Sequence, residues 1–210
     1  PTVPAALGRG CSWRRCTFCP DPLHGAHEPC AERAVDDFLR AVAARFPQGA
    51  MLHLTDSALP PRHLEHLAEV ICRERLPLRW HGFVRVEAAF ADPAFARHLA
   101  DGGCSMLQFG VESAAPRLLD LVGKGAAPDT AARALAATSS AGIKSLVYLL
   151  FGLPTETEDD RLKTLAFVEE NERAIGDLNV SLLNLPRRSP MHNDPGSFGI
   201  TEVVPFATDT

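Results

Sequence analysis

A chain of 210 residues with 46% hydrophobic content can bury one substantial core, and its net charge of −5 gives no general attraction for a phosphate backbone or an anionic membrane surface. Nonspecific nucleic-acid binding is therefore not expected, and the longest apolar run, Leu146 to Phe151, falls far short of the ~18 residues of a membrane span. Six cysteines, three of them crowded between positions 11 and 19, do not resemble a secreted disulfide framework, so a cytoplasmic protein is expected.

The sequence opens at Pro1 and enters an apolar stretch at once, which suggests an excised or incomplete chain. In chain order, short apolar runs predict strands over Val3–Gly8, Ala50–Leu54, Leu78–Val84, Ser105–Gly110, Ser145–Phe151 and Asn179–Leu185, each apolar enough to be covered on both faces. Between the first two, Val35, Phe38, Leu39, Val42 and Phe46 recur at helical spacing; after Pro61, Leu64, Leu67, Ala68 and Ile71 do the same. Pro93 and Pro128 open helices ending near Gly102 and Gly142, Pro116 starts an extra turn, and Thr157–Glu172 supplies a fifth helix. From Pro186 the chain reads as a loop-rich tail.

Strands alternating with helices predict a parallel α/β fold, and six such units are too few for a closed eight-stranded barrel of ~250 residues. The expectation is a partial (β/α)6 barrel over residues 1–185, followed by the tail 186–210. Ligands of such folds gather at the C-terminal ends of the strands.

The loop after the first predicted strand carries Cys11, Cys16 and Cys19, three thiols that invite a soft metal. Two readings are open. A zinc site needs a fourth ligand, with His24, His27 and Cys30 as candidates, whereas a four-iron cluster held by three cysteines keeps one iron open to a ligand. Cys72 on a predicted helix and Cys104 before a strand read as buried, inert thiols.

At this point the sequence resembles the radical S-adenosylmethionine (SAM) superfamily. Its usual signature is C-x3-C-x2-C with an aromatic residue before the last cysteine, and Phe18 fits that place. Here four residues separate Cys11 from Cys16, a spacing associated with a subgroup that includes cobalamin-binding-domain radical SAM proteins. The resemblance continues through Leu52–Ser57, Gly82–Arg85, Gly103–Ser113, Gly123–Gly125 and Gly142–Thr157.

The resemblance implies a [4Fe-4S] cluster on the three cysteines, SAM on the open iron, and reductive cleavage of SAM to a 5′-deoxyadenosyl radical that modifies a substrate. It also implies a low-potential electron donor, with cobalamin contributed by a domain outside this chain. By position in the family's pattern, Asp56 would face the SAM amino group, Glu112 its ribose, Lys124 its carboxylate and Gly152 its adenine. Asp56 also reads as a helix cap before Pro60–Pro61, and Arg85 reads equally as a substrate contact, a SAM contact or an ion-pair partner of Glu87. Methyl transfer and another carbon-centred modification both stay open as the outcome, and neither a catalytic residue nor a choice between a small-molecule and a peptide substrate follows. The tail offers only a short apolar patch at Val203, Val204 and Phe206, so an additional domain or partner chain is expected to close the barrel.

Overall fold

A computed structural model describes residues 1–20 and 25–205. The elements run β1 (Thr2–Ala5), β2 (Gly8–Arg9), β3 (Glu28–Pro29), α1 (Glu32–Arg45), β4 (Ala50–Leu54), α2 (Pro61–Glu74), β5 (Leu78–Arg85), α3 (Pro93–Asp101) and β6 (Cys104–Glu112). Then follow α4 (Pro116–Leu121), α5 (Pro128–Ser140), β7 (Lys144–Phe151), α6 (Glu158–Glu170), β8 (Asp177–Leu182) and α7 (Pro190–Asn193). Six parallel strands in the order β1-β4-β5-β6-β7-β8 form one open sheet, as the alternation of strands and helices predicts.

The strands are less uniformly apolar than expected, because their two faces differ. Leu52 and Leu54, Leu78 and Trp80, Leu107 and Phe109, and Val147 and Leu149 are buried beneath the helices. The alternate positions His53, His81, Gln108 and Tyr148 are polar and point to the concave side. The helices supply matching apolar stripes, with Val35, Leu39 and Val42 on α1 and Leu64, Leu67 and Ile71 on α2. Cys72 is exposed on the outer face of α2, correcting the expectation of a buried thiol; Cys104 is buried as expected.

The last strand differs from its neighbours. β8 is exposed along its whole length, with Leu178, Val180 and Leu182 showing 44%, 60% and 77% of their surface on one face. The tail, expected to be a loop, makes the helical turn α7 and a 3-10 turn at Pro195–Phe198. Met191 is fully buried against Leu118, Val122 and Leu153, an anchor that the short spacing of Pro, Gly and Asn concealed. Val203 and Val204 remain exposed, and Phe206 lies outside the described residues. Among the described residues no helix is long and apolar enough to cross a membrane.

Candidate metal and ligand site

The predicted first strand is interrupted after Ala5, and Gly8–Arg9 pairs instead with Glu28–Pro29. This short antiparallel ribbon closes the base of the cysteine loop, reinforced by the Cys30 N–H donating to the Leu7 carbonyl at 2.8 Å. Beneath it, the Leu7 N–H donates to both carboxylate oxygens of Asp56, at 3.1 and 3.0 Å. Burial nonetheless pushes the Asp56 carboxyl above its ordinary pKa. Asp56 is therefore a brace under the loop. It does not cap α2, whose N-cap is Pro60, and its neighbours Ser57 and Ala58 line the cavity above.

That cavity measures about 210 Å³ and gathers Cys11, Cys16 and Cys19 with Arg85, Glu112 and Lys124. The loop is sewn to the segment after α4 by backbone geometry. Thr17 donates its N–H to the Val122 carbonyl at 2.9 Å and its hydroxyl to the Leu121 carbonyl at 3.3 Å, while the Trp13 indole N–H donates to Gly123 O at 2.8 Å. From the other side the Met191 N–H donates to Thr17 O at 2.8 Å, so the tail also holds this loop.

The two glycines flanking Lys124 have a steric reason. Both have positive φ, 63° at Gly123 and 64° at Gly125, and a Cβ would stand 2.3 Å from Arg15 O and 2.1 Å from Trp13 Cζ2 respectively. Only glycine lets the cysteine loop lie this close.

Glu112 ends β6 where the register with β7 shifts, and its own φ is +66°. This turn brings its Oε1 within 2.7 Å of Lys124 Nζ, with side-chain exposures of 13% and 8%. Gly110 makes room for the pair: a Cβ there would stand 2.6 Å from Lys124 Nζ. The pair is nearly neutral as a unit and offers one anionic and one cationic group to the same cavity. Burial raises the Cys16 thiol pKa, with Lys124 and Arg85 pulling it back down.

A string of polar side chains runs across four strands on the concave face. The Tyr148 hydroxyl donates to Gln108 Oε1 at 3.1 Å, Gln108 Nε2 lies 3.3 Å from His81 Nδ1, and His81 stacks on His53 at 4.6 Å. Tyr148 reaches the cysteine cavity and also lines an adjoining one of about 340 Å³ with Phe18, Glu112 and Asn184. Sequence reasoning missed this string and Trp13. The available signal was a lone tyrosine at a concave-face position within the apolar run Leu146–Phe151.

Of the predicted site residues, the structure brings Cys11, Cys16, Cys19, Glu112 and Lys124 to one cavity. Asp56 sits below it, and Gly152 lies outside its lining, with φ +73° and its N–H donating to Glu156 Oε2 at 2.8 Å in an exposed turn. Among the candidate fourth zinc ligands, Cys30 lines a different cavity beside His63 and His66, His27 stacks on His63 at 5.7 Å, and His24 lies outside the described residues. Among the described residues no three Cys, His, Asp or Glu side chains converge on a point where a single ion would bind. A multi-iron cluster makes a different demand, since each thiolate binds a different iron and the sulfurs stand further apart. Three thiols spread around one cavity, beside the buried Arg85 whose Nε–H has no acceptor among the described residues, fit such a cluster.

Comparison with known proteins agrees with this geometry. The family described as Radical SAM superfamily matches residues 6–168. The uncharacterized methyltransferase PH0819 of Pyrococcus horikoshii is 26% identical over 166 residues, which is 77% of this chain and 35% of that protein. The radical SAM methyltransferase TsrM of Kitasatospora setae, solved with tryptophan substrate and a SAM analog, superimposes with a TM-score of 0.78 at 24% identity, covering 91% of this chain and 38% of TsrM. The cobalamin-dependent radical enzyme OxsB, solved with aqua-cobalamin and SAM, gives a TM-score of 0.68 at 19% identity over 94% of this chain and 30% of OxsB. The likenesses to TsrM and OxsB show the fold, and the chain spans between 30% and 38% of the length of these three relatives.

Proposed function

The chain belongs to the radical SAM superfamily, and from that premise we propose that Cys11, Cys16 and Cys19 hold a [4Fe-4S] cluster in the catalytic core of a SAM-cleaving enzyme. When bound, the cluster supplies the electron that splits SAM into methionine and a 5′-deoxyadenosyl radical able to take a hydrogen atom from substrate. The observation that carries the reading is the meeting of three thiols of one loop with a buried Glu112–Lys124 pair in one cavity.

The chain's own residues then have separable tasks. Glu112 and Lys124 present opposite charges to a ligand that is itself an amino acid with an ammonium and a carboxylate. Exchanging their mutual ion pair for charge-assisted bonds to that ligand keeps both buried charges compensated. Asp56 and the β2–β3 ribbon fix the loop from below, while Gly123 and Gly125 admit it from the side. Residues 1–185 act as the core, and 186–210 as a tail whose Met191 buttresses the loop. Tyr148 and Asn184 in the adjoining cavity face the substrate.

For the reaction on substrate we favour methyl transfer, because PH0819 and TsrM are both named as methyltransferases. Cobalamin would come from a segment outside this chain, and a low-potential donor from outside the protein. The test is anaerobic reconstitution with iron and sulfide counts and low-temperature EPR, followed by a search for 5′-deoxyadenosine after reduction with SAM. Four irons with 5′-deoxyadenosine formation is the expected result. Stoichiometric zinc without sulfide would overturn the reading.

A further inference from the structure

Arg85 sits at the C-terminal end of β5, on the concave face, with only 8% of its surface exposed. A guanidinium carries five N–H donors and no acceptor, so its burial demands an account of each. One Nη2 proton goes to the Lys124 carbonyl at 2.7 Å. The plane lies on the Trp13 indole, 3.8 Å from the ring centroid, and Nη1 stands 3.7 Å from Glu87 Oε1, a separation too long for a good hydrogen bond. Nε–H is buried with no acceptor among the described residues.

An unpaired donor on a buried cation is costly, and natural structures keep one where an acceptor of another kind completes it. Cys16 and Cys11 line the same cavity as Arg85, and they carry negative charge as thiolates when they bind iron. Lys124 is the other cation there, but Glu112 at 2.7 Å already compensates it. Arg85 is matched only loosely, by a half-buried Glu87, and so contributes net positive charge beside the thiols.

We propose that Arg85 tunes the cluster held by Cys11, Cys16 and Cys19: its Nε–H donates to a cluster or cysteine sulfur, and its charge favours the reduced, more negative form. Hydrogen bonds to sulfur and nearby charge are the terms by which proteins set iron–sulfur potentials. Arginine suits the task because its flat face stacks on Trp13 while its edge keeps donors free in two directions, which a lysine ammonium cannot do. The inference rests on the cluster reading above.

The test is a potentiometric titration of the anaerobically reconstituted chain, with no SAM present, followed by the EPR signal of the reduced cluster. Arg85→Gln removes the charge, Arg85→Lys keeps it on a different donor, and Trp13→Phe loosens the loop while leaving Arg85 in place. Arg85→Gln is expected to lower the reduced-to-oxidised ratio at fixed potential by at least tenfold, equivalent to about 59 mV for a one-electron couple. Arg85→Lys should fall between, and Trp13→Phe should shift less than Arg85→Gln. An unchanged midpoint in an iron-replete Arg85→Gln, or an equal shift in Trp13→Phe, would overturn the proposal. Should Arg85→Gln fail to hold iron, pulsed EPR of the unsubstituted chain, carrying arginine labelled with 15N throughout the guanidino group, decides the matter. A weak 15N coupling lost in Arg85→Lys supports the hydrogen bond, and no coupling refutes it. Iron content and the EPR signal of the unsubstituted chain come first, and their absence would retire the cluster reading itself along with this inference.

Discussion

Gly125→Ala should do more harm than the same change at Gly142, and the difference isolates one contact. Both glycines have positive φ, +64° and +83°, so both substitutions carry the left-handed backbone penalty of about 1–2 kcal/mol, and the unfolded-state entropy gain of Gly→Ala is common to both. At Gly142 a Cβ meets nothing within 4 Å, whereas at Gly125 it lands 2.1 Å from Trp13 Cζ2 and 2.4 Å from Cη2. Trp13 is held by its bond to Gly123 O and by Arg85 across its face, so it cannot simply rotate aside. Overpacking of this kind costs roughly 1–3 kcal/mol beyond the shared penalty, or about 2–12 °C of extra Tm loss in a domain of this size. Thermal unfolding followed by circular dichroism measures the difference, and iron content after reconstitution measures its effect on the loop. Iron loading should drop in Gly125→Ala and stay intact in Gly142→Ala. Equal melting temperatures and equal iron in the two variants would refute the argument that Gly125 exists to admit Trp13.

Alanine at Cys11, Cys16 or Cys19 should abolish iron binding, while alanine at Cys30, Cys72 or Cys104 should leave it, as read by iron and sulfide analysis; loss through Cys30 would move the assignment toward a four-ligand site. Glu112→Ala should weaken SAM binding by about 1–3 kcal/mol with iron retained, the usual worth of a hydrogen bond to a charged group, measured by calorimetry under anaerobic conditions. Tyr148 is the single tyrosine of the chain, so alkaline ultraviolet titration reads it alone. Its phenol should ionise above the ordinary range because burial disfavours the anion. The raised value means that stability is full below the ordinary phenol pKa and falls as pH climbs through the raised one, and a phenol that titrates normally would place Tyr148 in open solvent.

The fold was legible because hydrophobic periodicity and proline placement are local signals: Ala50–Leu54 is predicted to the residue, and Pro61, Pro93, Pro116 and Pro128 each open a helix at its first position. The cysteine triad was legible because its chemistry is concentrated in one loop. What escaped depends on contacts distant in sequence. Asp56 reads as a ligand or a cap in the sequence, and its bonds from the Leu7 N–H, 49 residues away, are visible only in the fold. Trp13 and Arg85 meet only because β5 delivers one beneath the loop bearing the other, and Met191 is buried only because α4 lies against it.

The residues that define the cavity share a departure from regular backbone. Glu112 stands in the left-handed region at a register shift, and Gly123 and Gly125 have positive φ on either side of Lys124. For the glycines this conformation is free of strain, but for a glutamate it is sparsely populated and costs energy that glycine at the same position would not incur. The regular sheet can sustain that cost because β6, which Glu112 ends, and its neighbour β7 are anchored by fully buried Leu107, Phe109 and Val147. A strained acid ending a rigid strand, aimed at a buried lysine between two glycines, is an arrangement that packing alone does not require. Under the proposed function, its compensation lies in what the two charges hold when they face a ligand instead of one another.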